Sequence, residues 1–275
     1  MNRVQKRKLE MEAVYNDDIN AYIGLKYSHM GYWRDDNPDS FRCAQEAKLI
    51  KLMEPLEIKP SDRILDIGGG QGETAIWMTK RYNCRVLIAD IVDNMIQKAR
   101  EAIKEAGLTD HIQAVCEDIL TLKENEASFN HIVSVGALHH IADKEKLFKK
   151  IASLLKPGGK LAASIYLSDM KPGLLKELYL KLTLGDKDIS PISHYLSAIE
   201  NSGLGGCEVE DISDAVLPKS SQMLEQEPYY SKIDEYHRKY YGRFSTCLLP
   251  WFFKWNRYIL RKKQLGLVIC RAQKN

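Results

Sequence analysis

No apolar run in this 275-residue chain approaches the ~18–20 residues that a bilayer-crossing helix needs, and the first residues are charged and polar. A secreted or integral membrane protein is therefore not expected, and a cytoplasmic location is. The six cysteines (Cys43, Cys84, Cys116, Cys207, Cys247, Cys270) include no Cys-x-x-Cys pair, so they read as reduced thiols and no metal is expected. There is no internal repeat and no low-complexity tract. A net charge of +3 is too mild to imply a nucleic-acid partner. What remains is 44% hydrophobic and 28% charged, enough apolar material for one large core with a small appendage.

The first 60 residues are helical in pattern, over Arg3–Tyr15, Asp17–Leu25 and Phe41–Met53, with an aromatic, turn-rich stretch at Tyr27–Trp33. From Pro60 short β-branched runs alternate with helical periods. The runs are Arg63–Ile67, Arg85–Ala89, Ile112–Val115, Asn130–Val135 and Lys160–Tyr166; helices are predicted over Glu73–Arg81, Asn94–Ala106 and Lys144–Leu155. Strands separated by such helices are βαβ units, so the chain belongs to the α/β class with a mostly parallel sheet covered on both faces. Further on, helices are predicted over Gly173–Leu184 and Pro191–Asn201, and strands over Cys207–Ile212 and Leu265–Ala272. The expected division is an N-terminal helical cap (1–60), a core (61–212), a cap or lid insertion (213–263) and a last core strand (264–275).

Asp66-Ile67-Gly68-Gly69-Gly70-Gln71-Gly72 follows the first strand and opens a helix. Glycines belong where the backbone takes positive φ or lies against a ligand. Gly70-x-Gly72-x-x-Ala75, with Asp90 at about the ribose-binding distance, also spells a dinucleotide fingerprint. Asp66 argues against that ligand, because a carboxylate there repels a pyrophosphate. It suits S-adenosylmethionine, whose methionyl end carries an ammonium and whose sulfur is cationic.

Asp66-x-Gly68-x-Gly70-x-Gly72 resembles motif I of class I S-adenosylmethionine-dependent methyltransferases. Asp90, ending Val86-Leu87-Ile88-Ala89-Asp90, is similar to the acidic residue that accepts both ribose hydroxyls, a role that suits two carboxylate oxygens. Glu117-Asp118-Ile119 resembles the next motif, in which the acidic residue meets the adenine amine and its successor meets the ring. Leu155–Leu161 (Leu-Lys-Pro-Gly-Gly-Lys-Leu) resembles the turn before the fifth strand. The resemblance covers residues 60–166 closely. It implies a Rossmann-like, seven-stranded, mostly parallel sheet, with S-adenosylmethionine held by Asp66, Gly68, Gly70, Gln71, Asp90, Ile91, Asp118, Ile119 and Val135, and S-adenosylhomocysteine as product.

Tyr27-x-His29-Met30-Gly31-Tyr32-Trp33 resembles a small-molecule subgroup that includes sterol and tocopherol C-methyltransferases, cyclopropane fatty acid synthases and antibiotic sugar O-methyltransferases. There a similar segment, with upstream tyrosines such as Tyr15 and Tyr22, folds over the cofactor, which implies contacts from Tyr22, Tyr32 and Trp33. Aromatic faces hold a sulfonium by cation–π attraction and exclude water. In the sterol and cyclopropane enzymes a glutamate commonly stands where this chain has Gly136, so their carbocation chemistry lacks its carboxylate here. The chain also lacks the Asn/Asp-Pro-Pro-aromatic signature of many nucleic-acid amino-methyltransferases, and no nucleic-acid partner is expected.

Methyl transfer is an in-line displacement for which alignment and desolvation do most. A hydroxyl acceptor also needs its proton removed, and His139 or His140 after the fourth strand is the candidate base. From residue 251, apolar positions 251, 252, 255, 258 and 259 share a helix face, with Lys254, Arg257, Arg261, Lys262 and Lys263 supplying charge. Such a helix is a lid, a peripheral membrane contact through 251–263, or a site for an acidic substrate group. The expected activity is methyl transfer to O, N or C of a small, partly apolar acceptor; the alternatives are a cofactor-binding protein of the same fold without transfer, and an NAD-dependent oxidoreductase. Oligomeric state is not legible.

Overall fold

The computed structural model describes residues 8, 9, 11, 12, 15, 19–33, 40–186 and 189–275. The rest of the expected Arg3–Tyr15 helix, and the start of the one expected from Asp17, lie outside the described residues; α1 (Ile19–Tyr22) is what is described of the latter. Next comes α2 (Phe41–Met53), where Ser40 Oγ accepts from the Cys43 N–H at 3.3 Å and so satisfies one of the free donors of the first turn.

The core alternates as its periodicities require. In chain order it runs β1 (Arg63–Ile67), α3 (Glu73–Tyr82), β2 (Arg85–Asp90), α4 (Asp93–Glu105), β3 (Ile112–Cys116), β4 (Phe129–Val135), α5 (Lys144–Leu154) and β5 (Leu155–Ser168). After these follow α6 (Leu174–Leu184), α7 (Ile192–Glu200), β6 (Leu204–Asp211), α8 (Ser213–Leu224), α9 (Tyr229–Tyr241), α10 (Arg243–Arg261) and β7 (Leu265–Lys274). The sheet order is β3-β2-β1-β4-β5-β7-β6, parallel except for β7, which is antiparallel to both neighbours. The chain therefore has the Rossmann-like, seven-stranded, mostly parallel sheet.

Both faces of the sheet are buried, and alternation along each strand divides the core in two. Ile64, Val86, Ile88 and Val133 pack on one side with Leu49 and Leu52 of α2, Met78 of α3 and Ile96 of α4. Leu65, Ile67, Leu87 and Ile132 pack on the other with Phe148 and Ile151 of α5 and Tyr195 of α7. A smaller cluster (Ile23, Leu25, Phe41, Ile233, Leu249, Phe253) joins the N-terminal segment to α9 and α10.

Two details depart from expectation. Leu155–Leu161 is a bulge inside β5 rather than a turn before it: Leu155 faces Phe129, yet Lys160 already faces His131. The 213–263 region is three helices, and its last helix begins at Arg243, not near residue 251.

The strand order reverses between β1 and β4, so the segments leaving their carboxyl ends diverge and open a crevice. Ser134 Oγ donates to the Ile67 carbonyl at 2.8 Å and ties the two strands at its floor.

Candidate active site

The crevice is lined by Ile67, Gly68 and Gly70 after β1, Ala89–Val92 after β2, Glu117 and Ile119 after β3, and Val135–Ala137 with His140 and Ile141 after β4. Met95, Ser28, Met11 and Tyr15 complete the wall.

The glycine loop is shaped by contacts that only glycine permits. Gly68 has φ +69°, and a Cβ there would lie 2.3 Å from Ala137 Cβ. Gly70 has φ +53° and nothing within 4 Å of its would-be Cβ, so it presents bare backbone to the crevice. Gly68→Ala is expected to destabilise the protein by about 1–3 kcal/mol, whereas Gly70→Ala costs about 1 kcal/mol of backbone strain but intrudes where a ligand would lie. Thermal melts and S-adenosylhomocysteine titrations separate the two: the first variant loses mainly stability, the second mainly affinity.

Two carboxylates flank the loop. Asp90 Oδ2 accepts from the Gly70 N–H at 3.0 Å and Oδ1 from the Val92 N–H at 2.9 Å. Burial pushes its pKa up, opposed by those backbone donors. Asp66 is buried, and its Oδ2 has no hydrogen-bond partner among the described residues. Burial, then the charge of Asp90, raises its pKa to about 7. A buried carboxylate oxygen without a donor is a vacancy for a cation's N–H.

Asp118 does not line the crevice. Its Oδ1 accepts from the Leu120 N–H at 2.9 Å, closing the turn after β3, while the neighbouring Glu117 and Ile119 reach the wall. Gln71 and the buried Asp66 also lie off the wall, whereas Ile91 and Val135 are on it. Tyr22, Tyr32 and Trp33 are elsewhere. Tyr22 packs edge-on to Tyr236 at 5.3 Å; Lys51 Nζ sits 5.1 Å over the Tyr32 ring; Trp33 Nε1 donates to Ser220 Oγ at 3.0 Å. These aromatics join the N-terminal segment to α2, α8 and α9, while Met11, Tyr15 and Ser28 are the described N-terminal residues that face the crevice.

The two histidines part company. His139 is buried, its Nδ1 lacks a partner among the described residues, and its ring meets Tyr166 edge-on at 5.3 Å. Burial, then the neighbouring His140 and Lys144, hold its pKa well below the ordinary histidine range. His140 lines the crevice, with Nδ1 3.1 Å from Asp186 Oδ2 and Nε2 3.0 Å from the Tyr15 hydroxyl. With the ring's proton on Nδ1 facing Asp186, Nε2 accepts from Tyr15. The turn that carries both is held by Lys144, whose Nζ donates to the carbonyls of Leu138, His139 and Ile141. No metal-holding group of histidine, cysteine or acidic residues occurs among the described residues.

The family described as "Methyltransferase domain" matches residues 64–159, which carry this glycine loop, both acidic strand ends and the His139–His140 turn. The chain carries a class I S-adenosylmethionine-dependent methyltransferase domain.

This methyltransferase is similar to Methyltransferase GfsG of Streptomyces halstedii, 26% identical over 219 residues that cover 76% of this chain and 78% of the relative. It is also similar to 27-O-demethylrifamycin SV methyltransferase of Amycolatopsis mediterranei, 27% identical over 72% of this chain and 74% of that one. Among solved structures, the [4+2]-cyclase SpnF superposes with a TM-score of 0.77 at 19% identity, covering 96% of this chain and 94% of its own. That likeness shows the fold, and the cyclase shows that the fold carries more than one chemistry. The cofactor of this methyltransferase is S-adenosylmethionine.

Proposed function

We propose that the enzyme methylates a hydroxyl oxygen of a small, partly apolar acceptor, with His140 removing the proton. The observation that carries this reading is the hydrogen bond between the Tyr15 hydroxyl and His140 Nε2 at 3.0 Å on the crevice wall. It places an imidazole nitrogen where an O–H docks, with Asp186 orienting the ring from the far side, the arrangement by which a carboxylate-oriented histidine takes a hydroxyl proton.

The site's residues fit the cofactor. The donorless Asp66 Oδ2 suits the methionyl ammonium, Gly68 and Gly70 offer bare backbone, and Asp90 stands at the end of β2 where a carboxylate can accept two hydroxyls. Ile91, Ile119 and Val135 supply apolar wall for the adenosyl part, with Glu117, rather than Asp118, the acid that faces it. When bound, S-adenosylmethionine supplies an electrophilic methyl on a cationic sulfur. His140 Nε2 then receives the acceptor's proton as the oxygen bonds to the methyl carbon and the C–S electron pair stays on sulfur, leaving S-adenosylhomocysteine. His139, buried and neutral, packs behind His140. The packing of Ile23, Leu25 and Phe41 against Ile233, Leu249 and Phe253 supports a cap over the acceptor's entry built from the described part of 1–60 and from 213–263.

The rifamycin relative, whose name marks an O-methylation, supports the oxygen assignment by similarity. The test is transfer of isotope-labelled methyl from S-adenosylmethionine into fractionated host metabolites, with the product fragmented by mass spectrometry. A methyl ether is expected. Label on nitrogen or carbon overturns the oxygen assignment, and cofactor binding with no acceptor in the extract favours the non-transferring reading.

A further inference from the structure

The outer helices leave a large apolar surface uncovered. On α10, Phe244 (78% exposed), Leu248, Trp251 (56%) and Tyr258 (54%) follow one another at steps of four, three and seven residues, a single stripe along the helix. This is not the face by which α10 packs on the protein, which is Leu249, Phe253 and Ile259. An amphipathic lid needs one apolar face; α10 has two.

The stripe continues onto α6. Trp251 packs against Trp255 with ring centroids 5.2 Å apart, Trp255 meets Tyr179 of α6 at 5.2 Å, and the Tyr179 hydroxyl donates to Asn256 at 2.6 Å. Around Tyr179, α6 exposes Leu174 (80%), Leu175, Leu178 and Leu182 to solvent while burying only Tyr179 and Leu180. Isolated exposed apolar residues are ordinary, but eight on two helices in contact mark a binding surface.

Its charge is of one sign along α10, where Arg243, Lys254, Arg257 and Arg261 are the only charged residues. Arg257 is paired with Glu225, whereas Lys254 and Arg261 are exposed on the turns beside Trp251 and Tyr258, and Lys262 follows. On α6, Lys181 is exposed as well; Glu177 is the one acid of that helix.

We propose that this α6–α10 face seats the enzyme on an anionic lipid surface. Tryptophan, tyrosine and leucine side chains enter the boundary between headgroups and acyl chains, and lysine and arginine at the edge of the stripe meet lipid phosphates. A second copy of this chain fits less well, because an isologous contact through the stripe sets the Lys254–Arg261 edges among like charges. This face also joins the crevice wall through one apolar cluster. Gly136 on the wall has Tyr166 Cε2 3.7 Å from its would-be Cβ, Tyr166 shares one apolar cluster with Tyr179, and Trp255 packs against that cluster. Docking here rests on the partly apolar acceptor of the preceding reading, and narrows it to one that partitions into a membrane.

The test is co-sedimentation of the full chain with vesicles of phosphatidylcholine and phosphatidylglycerol in equal parts, against pure phosphatidylcholine, with tryptophan emission followed in parallel. Binding to the anionic vesicles with a blue shift, weakened by salt, is expected. Leu175→Ser with Trp251→Ser is expected to weaken it about tenfold by removing buried apolar area, and Lys254→Glu with Arg261→Glu to abolish the preference for anionic lipid. S-adenosylhomocysteine affinity of each variant, expected unchanged, reports that the fold is intact. Wild type left in the supernatant with both vesicles, variants that pellet as wild type does, or a dimer that Trp251→Ser dissociates each overturn the proposal. The assay contains no acceptor, so its failure leaves oxygen methylation standing, and failure of the transfer assay leaves membrane docking standing.

Discussion

Asp66→Asn is expected to weaken S-adenosylhomocysteine binding by about 10²–10³-fold while raising the melting temperature of the free protein. Both effects come from one buried carboxylate. Free Asp66 has its pKa raised from 3.8 to about 7 by burial and by the charge of Asp90. The folded state therefore holds the proton more tightly than the unfolded chain does. The stability that protonation supplies is complete below the unfolded value, declines as pH rises from there, and is gone above about 7. At pH 8 the ionised group costs on the order of 4 kcal/mol, so a neutral isostere melts several degrees higher. The ligand's ammonium reverses the balance, since it gives the donorless Oδ2 a charged partner, and loss of one member of such a buried pair accounts for the affinity lost. Binding to wild type is accordingly expected to fall about tenfold per pH unit below pH 7, because the proton must leave first, whereas the asparagine variant shows no such slope. Calorimetry across that range checks the affinities and differential scanning the melting temperature. A variant that binds as wild type does, with the same pH slope, contradicts the role given to Asp66.

The second large effect belongs to His140. Replacement by alanine is expected to lower kcat by about 10²–10⁴ with little change in KM for the cofactor, the range by which a positioned base accelerates proton removal. The deficit should shrink as pH rises and the acceptor begins to ionise unaided. Asp186→Asn keeps the shape but removes the carboxylate that orients the ring at 3.1 Å, so it should reproduce part of the loss. His139→Gln, altering the buried neighbour, should change stability more than kcat. Steady-state rates on the identified acceptor decide the matter. An alanine variant at full rate would mean that the acceptor arrives already deprotonated and that His140 positions Tyr15 instead.

The parallel half of the sheet was legible because each strand buried on both faces reads as a short apolar run between helices of steady length, as in Val86–Asp90. Boundaries moved by a residue or two where strands end in polar groups, as at Cys116. The Lys156–Gly159 segment looks like a turn in sequence, but its neighbours keep pairing with β4 and β7, so the chain forms a bulge within one long strand. That Gly68, Gly70 and Asp90 stand on the crevice wall, with Asp66 buried beside them, was legible because strand ends and glycine steps are local features. The contribution of Asp186 could not, since it reaches His140 across 46 positions of sequence. Nor does spacing tell which of two adjacent acids after β3 faces the crevice: Asp118 closes a turn and Glu117 lines the wall. Tyr32 and Trp33 carry a signature of aromatic composition, and their role in joining cap elements depends on tertiary packing with Lys51 and Ser220. On α10 the apolar pattern was visible, but which of its two faces stays in solvent is decided by α6 and α9.

The most direct test of the central claim is a calorimetric titration of the purified chain at neutral pH with S-adenosylhomocysteine and, separately, with NADH. One-to-one binding of S-adenosylhomocysteine with no heat from NADH is the predicted result. Binding of the dinucleotide in preference, or of neither ligand, would contradict the assignment of the crevice beside Asp66 and Asp90 to S-adenosylmethionine.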